Sequence, residues 1–127
     1  MVYKVLSNKS LEEVKENFEN RAKEYGFSVL KRYDFKKILE EKGFETDKDV
    51  TVFEICKPEG ALKVLDTIIE MSAFMPCRVS IYQEEEKVVL ATIDFENILK
   101  DLDVDSNFKE YIGTLYAKFI ELMNSFK

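Results

Sequence analysis

Two cysteines are the first residues of this chain that could do chemistry. Cys56 closes the run Val50-Thr-Val-Phe-Glu-Ile-Cys56 and stands just ahead of Lys57-Pro58-Glu59. Proline suits the first turn of a helix, where its missing N–H needs no partner. A helix starting there would turn its positive end toward Cys56, and Lys57 adds to that field, so a lowered thiol pKa is expected. Cys77 lies in Met75-Pro-Cys-Arg78. Strand alternation would send Arg78 to the face opposite the Cys77 sulfur. One reading is therefore a reactive Cys56 thiolate resolved by Cys77. The plainer reading, and the better supported, is two small buried hydrophobes.

A second constellation is polar. Glu54 alternates with Val52 and Cys56, while Arg78, Ser80 and Tyr82 share one face of a later run. Together they would form a strip on a sheet face away from the core, so Cys56, Glu54, Cys77, Arg78 and Tyr82 are the ligand-binding candidates. Asp101-Leu-Asp-Val-Asp105 has the look of a calcium loop. It fails at the positions that need glycine and glutamate, held by Ser106 and Ile112. With no histidine, the chain cannot build a Ser-His or Cys-His pair or a histidine metal site. Two cysteines cannot alone make a four-thiolate zinc site. Four glycines leave no phosphate cradle and no nucleophile elbow. No cofactor is expected.

The elements that must hold these residues are legible in order. Val2 to Leu6 alternates as an opening strand. Ser10 and Glu13 form a capping box for a helix from Leu11 to Tyr25, and Gly26 supplies its left-handed stop. Phe27–Tyr33 is a strand. Asp34 caps a short helix bearing Phe35, Ile38 and Leu39, which Gly43 ends. Val50–Cys56 and Cys77–Tyr82 are rich in β-branched and aromatic residues, and Lys87–Ile93 returns from the second of them. The turn at Glu84-Glu-Glu86 lacks Asn-Gly or Asp-Gly, so a loop of three to five residues is expected. Asp94 caps a helix with Phe95, Ile98, Leu99 and Leu102.

Between the cysteines, Ala61, Leu62, Val64, Leu65, Ile68, Ile69 and Met71 make a wide apolar stripe, which predicts deep packing. That helix should stop just before Pro76. At about 13 residues it is ~20 Å long, close to the ~23 Å of a seven-residue strand. The match predicts a parallel right-handed crossover. Cys77 would then start at the opposite end of the sheet from Cys56, beyond the ~7 Å between Cα atoms that a disulfide allows. The last helix spans Ser106 to Ser125, with Phe108, Ile112, Leu115, Phe119, Leu122 and Phe126 on one stripe. That stripe either covers the sheet or packs, through Phe108, Ile112, Leu115 and Phe119, against a second copy.

These motifs carry a resemblance. Ile55-CKPEGALKVL, then MPCRVSIYQEEEKVVLATID, preceded by YGFSVLKRYDFKKILEEKGF, are similar to the domain of unknown function 302 family, across residues 10–94. Cys-x-Pro paired with Pro-Cys-Arg is its more specific part. Phe95 departs from the proline that the family often has after the aspartate matching Asp94. The resemblance implies an α/β domain with a curved sheet like that of the TATA-box-binding protein, and implies no activity.

Length and composition bound the rest. At 127 residues the chain makes one domain, with a family-like core at 10–94 and a helical extension at 95–127. The expected fold is α/β, with β-α-β-α-β-α-β-β-α-α order, about five strands and helices mainly on one face. A net charge of −6 argues against nucleic acid and anionic membrane partners. No apolar run reaches the ~20 residues of a membrane span. MVYKVLSNKS lacks a signal-peptide pattern, so the cytoplasm is expected. Lys and Glu outnumber Arg and Gln, a bias of hyperthermophile proteomes. The leading functional expectation is a non-enzymatic, homodimeric binding or interaction module. It would use a sheet face or a groove beneath the last helix for a small or apolar ligand. A thiol-dependent redox or carrier protein using Cys56 is the alternative.

Overall fold

The computed structural model describes residues 1–127. Strands β1 (Val2–Ser7), β2 (Ser28–Asp34), β3 (Thr51–Cys56), β4 (Cys77–Glu84) and β5 (Lys87–Ile93) form one sheet in the order β1-β5-β4-β3-β2. Every neighbouring pair is antiparallel. Helices α1 (Leu11–Glu24), α2 (Phe35–Glu41), α3 (Pro58–Thr67), α4 (Glu96–Lys100) and α5 (Ser106–Asn124) complete it, with a 3₁₀ segment at Ile69–Phe74. The element order and the mixed α/β class are those expected. No helix is long and apolar enough to cross a membrane.

Local chemistry explains the helix ends. Ser10 Oγ accepts from the Glu13 N–H at 3.1 Å. Gly26 and Gly43 take φ of +84° and +89°, a conformation that costs glycine nothing. Each closes a six-to-one turn, with Phe27 N–H donating to the Ala22 carbonyl and Phe44 N–H to the Leu39 carbonyl. Asp34 precedes α2 but does not cap it with its side chain. Its carboxylate accepts from Thr51 Oγ1 at 2.8 Å and Arg32 Nε at 3.1 Å. Burial acts to raise the Asp34 pKa, but those bonds and the charges of Arg32 and Lys15 outweigh it and hold the group low.

Four expectations are corrected. The hairpin turn has two residues, because Glu84 pairs with Lys87 and Glu85 takes φ of 58°. The helix after Cys56 ends at Thr67, where Ile68 leaves helical geometry (φ −149°, ψ 89°) and the 3₁₀ segment takes over. Only Gly60 and Val64 of α3 are buried; Leu62, Leu65 and Ile69 stay exposed. The β3–β4 connection is accordingly no parallel crossover. β4 returns antiparallel beside β3, with Cys77 opposite Ile55. Cys77 therefore starts at the same sheet end where Cys56 finishes, and both thiols are free.

The core has two parts. Val5, Phe53, Ile55, Val79, Ile81 and Leu90 share one sheet face and meet Val14, Phe18 and Ala22 of α1. The C-terminal half of α5 adds Phe119, Leu122 and Met123, and Phe126 follows. A second cluster joins Val64 of α3 and Met71 to Phe108 and Ile112, from the N-terminal half of α5. At 19 residues, α5 is about 28 Å long, enough to bridge both. Phe108, Ile112 and Phe119 are thus buried within the chain, and Leu115 is half-buried. On the other sheet face Val89 and Ala91 are buried, but Val2, Leu6 and Ile93 leave its β1 edge open, each 54% exposed.

Candidate functional site

The two core clusters do not close on each other. Between them lies an apolar cavity of about 140 Å³, at the sheet end where β3 stops and β4 starts. Fifteen of its twenty lining residues are hydrophobic. Ile55, Cys56 and Cys77 come from the sheet, Gly60, Ala61 and Val64 from α3, and Met71, Phe74, Met75 and Pro76 from the 3₁₀ segment and the turn after it. Ile112, Leu115, Tyr116 and Phe119 form the α5 wall. The Gly26 turn delivers Phe27, whose ring meets Phe119 edge-on at 6.0 Å. An aromatic rim continues through Tyr116, Phe95 and Phe74, with centroids 6.0 to 6.3 Å apart.

Gly60 sets how closely α3 approaches α5. A Cβ built there would meet Leu115 Cδ2 at 2.5 Å. Glycine thus lets the two cavity walls touch at this point.

Of the five sequence candidates, Cys56, Cys77 and Arg78 line the cavity. Glu54 and Tyr82 do not. Glu54 lies opposite Arg78 in the ladder, with Arg78 Nε 3.3 Å from its Oε2. Its other oxygen accepts from the Tyr33 hydroxyl at 2.8 Å, which, with burial, raises the Tyr33 pKa. Tyr33 had no signal in the sequence, because its approach to Glu54 depends on the β2–β3 register. Tyr82 lies four residues beyond Arg78 along β4, away from the cavity.

The thiols are not activated. Burial raises the Cys56 pKa, against the lowering expected from helix and lysine. Cys77 is accessible along the cavity wall yet crowded by surrounding atoms. Burial, then the nearby Cys56 charge, pushes it up to about 11, with Arg78 acting in the opposite sense. Both thiols are protonated at neutral pH. The folded chain holds the Cys77 proton more tightly than the unfolded chain, with its ordinary value of 9.0. The stability linked to this group is complete below about pH 9 and is lost as pH rises toward 11. Iodoacetamide labelling of Cys77, followed by mass spectrometry under conditions that keep the fold, should keep accelerating up to about pH 11. A rate that levels off at pH 9 would mean an unburied thiol.

The remaining polar groups in the wall are few. Thr92 Oγ1 donates to the Arg78 carbonyl at 2.7 Å. The Tyr116 hydroxyl accepts from the Phe95 N–H at 3.3 Å, and burial raises its pKa. Lys57 Nζ sits 5.7 Å from the centroid of the Phe27 ring.

Residues 3–126 match the family model described as "Domain of unknown function DUF302". The match reaches past the 10–94 stretch that carried the resemblance and takes in α5. The chain is similar to the crystal structure of an uncharacterized conserved protein DUF302 from Bacillus stearothermophilus. The TM-score is 0.86 and the identity 23%, over 99% of this chain and 98% of that one. At that identity the likeness shows the fold alone. No curated protein matches the chain.

Proposed function

The chain belongs to the DUF302 family, and from that premise we propose that it is a non-enzymatic binding module whose cavity takes a small apolar ligand. One observation carries this reading: the apolar cavity of about 140 Å³ lined by residues of β3, β4, α3 and α5. Well-packed interiors leave few voids larger than a water molecule. An apolar cavity of about 150 Å³ is large enough to bind benzene, as an engineered one in another protein does. The aromatic rim favours flat, aromatic ligands, which pack edge-on or offset against such rings.

Benzene is the probe for this reading. Its titration should move the methyl resonances of Val64, Ile112 and Leu115 in a saturable way, and leave those of Val5 and Val14 in place. Unmoved cavity methyls at benzene saturation would overturn it. The thiol-based alternative has less behind it, because burial raises the pKa of both cysteines above the ordinary value.

A separate observation favours a second reading, self-association. Val2 and Ile93 are ladder partners on the open sheet face, and Leu6 lies on the same face of β1. Exposed apolar groups gathered on one face suit a protein interface. This face, and not the buried stripe of α5, would meet a second copy. Sedimentation should then give a dimer that Leu6→Glu converts to monomer. A monomer at every concentration of the unaltered chain would end this reading.

A further inference from the structure

The charge of the cavity wall runs against the charge of the chain. The protein carries 25 acidic and 19 basic residues, yet no carboxylate lines the cavity. Its only charged lining residues are Lys57 and Arg78. Arg78 is already engaged by Glu54 on the open sheet face. Lys57 forms no salt bridge; its ammonium has only the face of the Phe27 ring, at 5.7 Å. The Tyr116 hydroxyl accepts one hydrogen bond and keeps its own proton uncommitted. Neither cysteine offers a negative charge at neutral pH, since burial raises both thiols. The wall therefore presents an apolar, aromatic body with one unpaired cation, Lys57, and a free O–H donor.

We infer that the ligand of this cavity is a small hydrophobic carboxylate, with its apolar body between α3 and α5 and its carboxylate at Lys57. The inference rests on the cavity-binding reading and adds the head group. A partly buried cation without a partner is costly, and a ligand carboxylate supplies the missing charge in a site where attraction is stronger than in water. Charge-assisted bonds from an ammonium or a phenol to a carboxylate are stronger than neutral ones. A neutral ligand of the same shape would leave Lys57 as it is.

The test compares benzoate with benzyl alcohol, which has a similar shape and no charge, by calorimetry and methyl NMR on the full chain. Benzoate should bind about tenfold more tightly or better, and Lys57→Gln should remove that preference, bringing the two compounds to similar affinity. Added salt should weaken benzoate binding only, by screening the cation. Equal binding of the two compounds would overturn the carboxylate inference and leave the cavity reading standing. So would a benzoate preference that survives Lys57→Gln. Binding of neither compound, with cavity methyls unmoved by benzene too, would overturn both.

Discussion

Phe126→Ala is expected to lower unfolding stability by about 3–5 kcal/mol, the usual cost of truncating a fully buried phenylalanine. Its ring is 0% exposed although it is the penultimate residue. It stacks on Phe18 at 5.8 Å, and Phe18 stacks in turn on Phe53 of β3 at 4.6 Å. Arg21 closes over it, with its guanidinium carbon 4.6 Å from the ring centroid. The same guanidinium donates to the Ser125 carbonyl at 2.9 Å, and Ser7 Oγ donates to the Phe126 carbonyl. Backbone anchors and ring burial thus tie the last residues to β1, α1 and β3 together. A small domain has only about 5–15 kcal/mol in total, so urea titration should show the midpoint fall sharply. Phe18→Ala should cost a similar amount, and the double variant less than the sum, because the rings touch. A loss under about 1 kcal/mol for Phe126→Ala would mean that the end of α5 frays without consequence. It would then be the helical extension that its position after residue 94 suggested.

What the sequence made legible is what short-range chemistry decides. Ser10, Gly26 and Gly43 mark helix ends because caps and left-handed stops act within a few residues. The strands stand out because β-branched and aromatic residues suit a pleated, half-buried surface. The direction of β4 did not follow from length matching. It depends on Ile68 breaking the helix, and on α3 packing against α5 at the sheet end instead of lying across the sheet. That contact is between residues 60 and 115, and no window of sequence contains both. The wide apolar stripe of α3 misled for the same reason. Val64 found a partner in the second cluster, while Leu62 and Leu65 face water.

The candidate site divides along similar lines. Cys56 and Cys77 were visible as residue types, but their meeting at one sheet end needed the antiparallel β3–β4 register. Their raised pKa follows from burial at the cavity wall, which no residue flanking either cysteine announces. Tyr116 sits beside the apolar stripe of α5, where tyrosine is an ordinary boundary residue. Only the cavity gives its hydroxyl a meaning. A void is the hardest feature to read from sequence, because it is the place where two well-patterned clusters fail to meet.

Gly60→Ala is expected to abolish cavity binding while leaving the fold nearly as stable as before. Position 60 is helical, and alanine there is favoured over glycine by about 1 kcal/mol through backbone entropy. Against that stands the new Cβ, 2.5 Å from Leu115 Cδ2. Overpacking in a filled core costs about 1–3 kcal/mol. Here the obstructing atom is the end of a flexible side chain, and the space beside it is the cavity. Leu115 can turn into that space, so the two effects should cancel to within about 1 kcal/mol. The displaced methyl group then occupies volume the ligand needs. Benzene and benzoate affinity should fall at least tenfold, or about 1.4 kcal/mol. Adding Leu115→Ala removes the obstruction, so the double variant should bind again, a coupling that separate sites would not show. Unchanged affinity in Gly60→Ala would place the ligand elsewhere on the molecule. A stability loss above about 3 kcal/mol would show that Leu115 cannot move and that the α3–α5 contact is rigid. The two outcomes separate a cavity that serves as a site from one that is merely tolerated, because only a site pairs lost binding with a preserved fold.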